Sequence, residues 1–307
     1  MPSEGKFLIT GANGFVGRSL LDHLLTLPDK YRPSEVATVT RSGLEQEVHE
    51  KYSLSGIKLK SFEANLLDKW DFSYVPTHVF NFAADGSNNA YSVEAANGFR
   101  KLGMNLTTWC SKIDNVSVFH TSSGACFGRF PLASPAGHEN KKFHFIESRI
   151  EVENMLKEMA NFHNLSLRMA RLFSFIGPHL TKKPQYAVID FINQALTKKR
   201  ISVTGHPGTV RSYLSSSDMS VWIHKAATFE KAYDDLVVGS SHPVQMHELA
   251  SYIGNRLDSP VEILPSADPK DVYVANNQST LDRLAVQETK PWWELVDDLI
   301  EQKLRNV

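Results

Sequence analysis

The chain opens on a short apolar run, Lys6 to Thr10, that stops at a glycine-rich turn and gives way to leucines at 20, 21, 24 and 25. That order predicts a strand, a loop and a helix. The β-branched run Glu35 to Thr40 predicts a second strand, Ile57 to Phe62 a third and Thr77 to Ala84 a fourth. A helix is expected over 88–111, then a fifth strand over Val116 to Thr121. Apolar residues at 150, 152, 155, 156 and 159 give Glu147 to His163 a helical period, and Leu165 to Arg171 reads as a sixth strand. Strands alternating with helices imply an α/β fold, a doubly wound parallel sheet with helices on both faces.

The texture changes after about residue 175. Gly177-Pro178 and Lys183-Pro184 mark loops. A helix over 186–198, a strand over 200–204 and further short elements lead to a last helix from about Pro291, anchored by Trp292-Trp293. The expectation is a dinucleotide-type domain over 1–175. A smaller α+β cap over 176–307 is interwoven with it, some of its segments returning to the sheet.

Bulk composition narrows the class. The 307 residues carry a formal charge of −1, so no global field attracts nucleic acid or an anionic membrane. Two cysteines, Cys110 and Cys126, lie far apart without a ligand pattern, which argues against a disulfide framework or a metal site and fits a reducing cytoplasm. No apolar run reaches transmembrane length, and the start Met1-Pro-Ser-Glu-Gly leaves no room for a signal peptide.

The first turn carries the chemistry. Gly11-Ala12-Asn13-Gly14-Phe15-Val16-Gly17 has the spacing Gly-x-x-Gly-x-x-Gly between a strand and a helix. Glycines let the backbone approach a pyrophosphate, and the helix N-terminus supplies free N–H groups and a positive dipole end. After the second strand, an acidic side chain would take the adenosine ribose diol. Here the segment is Thr40-Arg41-Ser42, and Arg41 can pair with a 2′-phosphate or stack on adenine, which tilts the expected cofactor from NAD toward NADP. Asn65-Leu66 is placed to meet the adenine edge, and Phe82-Ala83-Ala84 ends the fourth strand beside the cofactor path.

These residues resemble the extended short-chain dehydrogenase/reductase family of NAD(P)-dependent nucleotide-sugar epimerases and dehydratases, and further matches run along nearly the whole chain. Thr121-Ser122-Ser123-Gly124-Ala125-Cys126-Phe127-Gly128 resembles the strand of the catalytic serine. Leu167-Arg168 through Arg171-Leu172-Phe173-Ser174-Phe175-Ile176-Gly177-Pro178 resembles its Arg-x-x-Asn-x-Tyr-Gly-Pro segment. Val203-Thr204-Gly205, Val210-Arg211-Ser212-Tyr213 and Asp218 resemble its nucleotide-binding cap. The resemblance implies a Rossmann fold, a nucleotide-sugar substrate and Ser123 at the catalytic serine. It places Arg211 on the substrate diphosphate, Ser174 and Asp218 in the substrate site, and a homodimer through the helices at about 88–111 and 147–163.

The chain departs from the family where protons move. The family carries Tyr-x-x-x-Lys on the helix after the serine strand. Registering that helix by Ser148-Arg149, Glu153 and Met155-Leu156 puts Phe145 at the tyrosine and Arg149 at the lysine. Phenylalanine exchanges no proton, and a positioned acid/base is worth roughly two to four orders of magnitude in rate. Arginine stays charged and can still bond ribose hydroxyls. Three alternatives follow. A substitute base acts, with His144 and Glu147 nearest and Lys141, Lys142 and His120 further candidates; or the protein binds its ligands silently, with a regulatory or interaction role; or the register is another. Gly124 and Ala125 stand where dehydratases of the family place Asp-Glu, so an epimerase or keto-sugar reductase is expected over a 4,6-dehydratase.

Overall fold

In the computed structural model, which describes residues 5–84, 89–128, 142–163, 165–180, 186–266, 268 and 270–305, the chain divides into two units. The first comprises Met1–Leu172 and Ile223–Leu236, the second Phe173–Trp222 and Val237–Val307.

Unit 1 is built on strand β1 (Lys6–Thr10), whose residues after Lys6 are all buried, and helix α1 (Phe15–Thr26), which buries Leu20, Leu21 and Leu24. Strand β2 (Glu35–Thr40) is buried along its length, helix α2 (Gln46–Ser53) follows, and strand β3 (Lys58–Glu63) is mostly exposed. Strand β4 (His78–Asn81), helix α3 (Val93–Cys110), strand β5 (Ser117–Ser123), helix α4 (Phe143–His163) and strand β6 (Ser166–Leu172) complete the alternation. Five adjacent pairs, β2·β3, β1·β2, β1·β4, β4·β5 and β5·β6, are parallel.

The later part of the chain supplies β7 (Phe175–Ile176), α5 (Ala187–Lys198), β8 (Ile201–Val203), β9 (Val210–Ser212), β10 (Leu214–Ser215), α6 (Ser216–Thr228) and β11 (Leu236–Val238). The seven-stranded sheet has the order β11-β6-β5-β4-β1-β2-β3, so the order reverses at β1, between β4 and β2. In a doubly wound sheet, ligands bind beyond the carboxyl ends of the strands at that reversal. The loop after β1 lies there.

Within unit 2, β12 (Pro243–Gln245), α7 (Met246–Arg256), β13 (Val261–Ile263), β14 (Val272–Tyr273), α8 (Gln278–Leu284) and α9 (Trp292–Arg305) follow. Its small sheets are β12-β9-β14, β13-β8 and β10-β7. Ile192, Ala195, Leu249 and Ile253 are fully buried there. No helix among the described residues is long and apolar enough to cross a membrane.

Several boundaries differ from those expected. β4 stops at Asn81, so Phe82, Ala83 and Ala84 leave the ladder as connecting backbone. α3 begins at Val93, where the Ser92 hydroxyl accepts the Ala95 N–H at 3.1 Å and caps it. α4 begins one turn before the expected Glu147, which places His144 and Phe145 on the helix. α2 was not expected: its composition is polar and only Val48 and Tyr52 are buried, too short an apolar signal to mark a helix.

Candidate active site

The loop after β1 is shaped by steric necessity at two glycines. Gly11 has φ +68°, in the left-handed region, and a Cβ there would sit 2.8 Å from the Phe82 carbonyl carbon and oxygen and 2.9 Å from the Ala83 nitrogen. A Cβ on Gly17 would sit 2.5 Å from the Gly11 oxygen and 2.6 Å from the Ala12 Cα. Thus Gly11 lets the loop pass the end of β4, and Gly17 lets α1 start against its own loop. Gly14 is the N-cap of α1 and offers no side chain to the first-turn N–H groups, and the first turn holds no acidic residue. A helix N-terminus of this kind, with its positive dipole end and no acidic side chain beside it, suits an anion. Asn13 ties the loop to the turn after β2 by donating to the Gly43 carbonyl at 2.7 Å. These features fit a dinucleotide pyrophosphate.

Around the loop, Phe15 and Val16 are partly exposed at the start of α1, Arg41 is exposed just past β2, and Asn65 is exposed with its Oδ1 accepting the Leu67 N–H at 3.2 Å. Leu66 is buried, and its carbonyl takes Trp70 Nε1 at 3.0 Å. Phe82 is half-buried, Ala83 buried and Ala84 exposed. Thr10 Oγ1 accepts the backbone N–H of both Phe82 and Ala83 at 3.2 Å and donates to Asn81 Oδ1 at 2.7 Å. Asn81 Nδ2 and His120 Nδ1 are 2.9 Å apart. Burial pushes the His120 pKa down to about 4, and its Nε2 has no partner among the described residues. His120 is therefore a neutral, enclosed side chain that braces the strand ends.

At the end of β5, the partly exposed Ser123 accepts the Ala125 N–H at 3.2 Å through its hydroxyl. Behind it, Ser122 Oγ and Cys126 Sγ lie 3.7 Å apart, and burial pushes the Cys126 thiol up, which keeps it protonated. Buried Glu153 binds Arg171 through two bonds of 3.0 and 2.7 Å. Burial alone would raise the Glu153 pKa, yet the hydrogen bonds from Arg171 and Ser122 and the Arg171 charge together outweigh it and hold the carboxyl ionised.

The helix carrying Phe145 and Arg149 packs closely on α3: a Cβ on Gly103 would come within 2.8 Å of Val152 Cγ2. One turn before Gly103, Phe99 reaches the same level. The Arg149 guanidinium carbon lies 3.4 Å from the Phe145 ring centroid and 4.3 Å from that of Phe99. It donates to the Phe145 carbonyl at 3.1 Å and to Ser148 Oγ at 3.2 Å. No carboxylate pairs with it among the described residues, and burial lowers its pKa to about 10, which leaves it fully charged. Glu147 is instead engaged by Arg100 on α3 at 3.0 Å, with His144 Nδ1 at 3.9 Å, and Glu151 also bonds Arg100. Lys142 lies just before α4 and is partly exposed; Lys141 lies outside the described residues.

Sequence reasoning missed two aromatic residues here, Phe99 and Tyr91. Tyr91 packs edge-on to Phe145, with ring centroids 5.4 Å apart. Both stand some fifty residues from α4, outside the segment where a Tyr-x-x-x-Lys was sought, and no spacing rule links them to it.

In unit 2, Ser174 lies between β6 and β7 and its carbonyl accepts the Leu214 N–H at 3.1 Å. Arg211 on β9 pairs with Asp271 at 2.9 Å and faces the Tyr273 ring at 6.0 Å. Asp218 is buried, and its carboxylate accepts both the N–H and hydroxyl of Thr289, at 2.9 and 2.8 Å. Ser174 thus lies against the start of β10 and Arg211 on the strand just before it in the chain, while Asp218 holds the segment that precedes α9.

The model of the NAD dependent epimerase/dehydratase family matches residues 7–239, from β1 to just past β11. The chain belongs to that family. Solved structures agree on the fold of this epimerase-family protein. A UDP-N-acetylglucosamine 4-epimerase from Methanobrevibacter ruminantium, solved with UDP-N-acetylmuramic acid, superposes with a TM-score of 0.79 at 17% identity, covering 100% of both chains. A UDP-glucose 4-epimerase from Thermus thermophilus, in complex with NAD, gives 0.76 at 20%, covering 97% of this chain and 98% of that one. A UDP-glucuronic acid 4-epimerase from Bacillus cereus, in complex with UDP-glucuronic acid and NAD, gives 0.78 at 17%, covering 97% and 99%. A search of curated protein sequences finds no significant match.

Proposed function

We propose that this protein is an NAD(P)-dependent nucleotide-sugar epimerase or keto-sugar reductase whose proton-transfer site has been rebuilt around Phe145 and Arg149. The observation that carries the reading is the cofactor cradle, where Gly11 and Gly17 occupy space that any Cβ would close. Its family membership and the nucleotide sugars bound by solved relatives support the substrate class. When bound, the dinucleotide supplies hydride acceptance and return. The chain's residues do the rest: the α1 N-terminus takes the pyrophosphate, Ser123 offers a hydroxyl to the reacting sugar oxygen, Arg149 provides fixed positive charge, and Arg211 takes the diphosphate.

The test is calorimetric titration with NAD and NADP, followed by turnover assays on a panel of UDP-, dTDP-, GDP- and CDP-sugars. Binding with epimerisation or reduction of one of them is expected. Binding without turnover across the panel overturns the enzymatic reading.

A second reading, a silent dinucleotide- or nucleotide-sugar-binding protein with a regulatory or interaction role, draws on one observation. The Phe145 ring, which has no hydroxyl, lies directly on the Arg149 guanidinium. The double variant Phe145→Tyr/Arg149→Lys separates the two. Activity created in a previously inactive protein favours silence in the natural chain, whereas an active natural chain ends that reading.

Cofactor choice rests on Arg41. It is exposed just past β2, where a guanidinium can fork onto a 2′-phosphate. Charge-assisted bonds contribute about 1.5–3 kcal/mol. Arg41→Ala is therefore expected to weaken NADP by about tenfold to a hundredfold while NAD changes little. Equal losses for both dinucleotides in calorimetry would assign Arg41 to adenine stacking.

A further inference from the structure

Arg149 is an unusual cation. It is partly buried, it has no carboxylate partner among the described residues, and it spends its fork on one carbonyl and one hydroxyl. A guanidinium carries five N–H donors, so others remain for an oxygen brought beside it. The Phe99 and Phe145 rings both pack against it, at 4.3 and 3.4 Å from ring centroid to guanidinium carbon. Such a cation is suited to hold a small oxyanion at short range.

One phenol is at hand. Tyr91 lies on the segment between β4 and α3, two residues before α3 begins, with its backbone N–H bonded to Asn89 Oδ1 at 3.2 Å. Its ring packs T-shaped on that of Phe145, which also contacts Arg149, and 46% of the residue stays exposed. A proton carrier has to be reachable by substrate and near a cation; Tyr91 is exposed, and its ring and the Arg149 guanidinium pack against the same Phe145 ring.

We infer that Tyr91 is the acid/base of this protein: the phenol that Phe145 lacks is supplied from the β4–α3 connection, and Arg149 is the cation that stabilises its phenolate. This rests on the epimerase/reductase reading above. In the oxidative half-reaction the sugar O–H proton passes to the Tyr91 phenolate oxygen while the carbinol C–H bond breaks, its electron pair leaving as hydride to an oxidised nicotinamide, and the C=O bond forms. In the reductive half-reaction hydride returns to the carbonyl carbon and Tyr91 gives the proton back, so neither atoms nor electrons are left over. Phe145 becomes a spacer that holds Tyr91 and Arg149 at a set separation.

Tyr91→Phe tests this with a change of one oxygen atom. With the panel substrate that the wild type turns over, kcat is expected to fall by about two orders of magnitude or more, with KM within about twofold. Calorimetric NAD affinity, circular dichroism and melting temperature are expected to match wild type. Adding Phe145→Tyr to Tyr91→Phe is expected to recover part of the lost rate. A readout independent of turnover is nitration of Tyr91 by tetranitromethane, followed by mass spectrometry. Tyr91 is expected to react in the free protein and to be protected by NAD with UDP-glucose or UDP-glucuronic acid. Retention of wild-type kcat by Tyr91→Phe, or Tyr91 nitration indifferent to both ligands, overturns the role of Tyr91 and leaves the enzymatic reading standing. Ligand binding without turnover in the wild-type protein overturns both.

Discussion

Gly11→Ala is expected to abolish detectable dinucleotide binding and to cost the fold about 2–6 kcal/mol, by summing the penalty for a non-glycine left-handed residue with that for overpacking. Two independent conditions fall together at this position. The backbone is at φ +68°, and the new methyl would stand 2.8 Å from the Phe82 carbonyl. That carbonyl is main chain, so nothing as cheap as a side-chain rotation relieves the clash. Either β1 and β4 part at their ends, or the loop lifts away from the position that admits a pyrophosphate. Gly43→Ala is the matched control. It has φ +73° but nothing within 4 Å of the added atom, so only the backbone penalty of about 1–3 kcal/mol applies. Thermal denaturation and NAD titration of the two variants check this, and a Gly11→Ala protein that binds NAD like wild type would show that the loop is not the cofactor site.

The second large effect is loss of stability in mild acid. Four histidines of unit 1 are held neutral by burial: His23, His78 and His120 titrate at about 4 and His224 at about 3. His23 Nε2 and His224 Nδ1 are 3.3 Å apart, and Phe7 packs against both His78 and His224, so a proton on one opposes a proton on the next. The unfolded chain has no such constraint and binds protons as pH drops through the ordinary histidine value near 6.5. It therefore holds more protons than the folded state between about 6.5 and 4, and stability falls as pH falls through that window. Each pKa unit is worth about 1.4 kcal/mol, so even one unit realised per histidine removes several kcal/mol from a total of about 5–15. Melting temperature is expected to be flat above pH 7 and to drop steeply from 6.5 downward, well before the carboxylates lose their charge. His224→Phe should flatten that limb, and an unchanged slope in this variant would place the proton uptake elsewhere.

What was legible in the sequence follows from burial. β1 and β2 have the ends expected of them, because fully buried parallel strands are continuous apolar or β-branched runs and a glycine turn marks one boundary. β3 is displaced by one residue because it is mostly exposed and its sequence Lys-Leu-Lys-Ser-Phe-Glu gives weak edges. The glycine loop was readable because backbone geometry restricts residue type there absolutely. The aromatic cluster around Arg149 was half readable. Phe145 and Arg149 are one helical turn apart and emerge from local spacing, but Tyr91 and Phe99 reach them only through tertiary packing between α3 and its neighbour.

The route of the chain sets the limit on dissecting the molecule. Unit 1 is not finished at Leu172. Segment 223–236 returns to it, where the Phe229 carbonyl accepts buried Arg168 at 2.5 Å, the Tyr233 carbonyl accepts the Met169 N–H at 2.9 Å, and Asp234 pairs with Lys157 at 2.9 Å. A fragment ending at about 175, the boundary that the strand–helix alternation invites, would keep the whole glycine loop yet strand a buried guanidinium and bare one edge of β6, a template for intermolecular pairing. The glycine loop is local in sequence, but the compact unit that carries it is not.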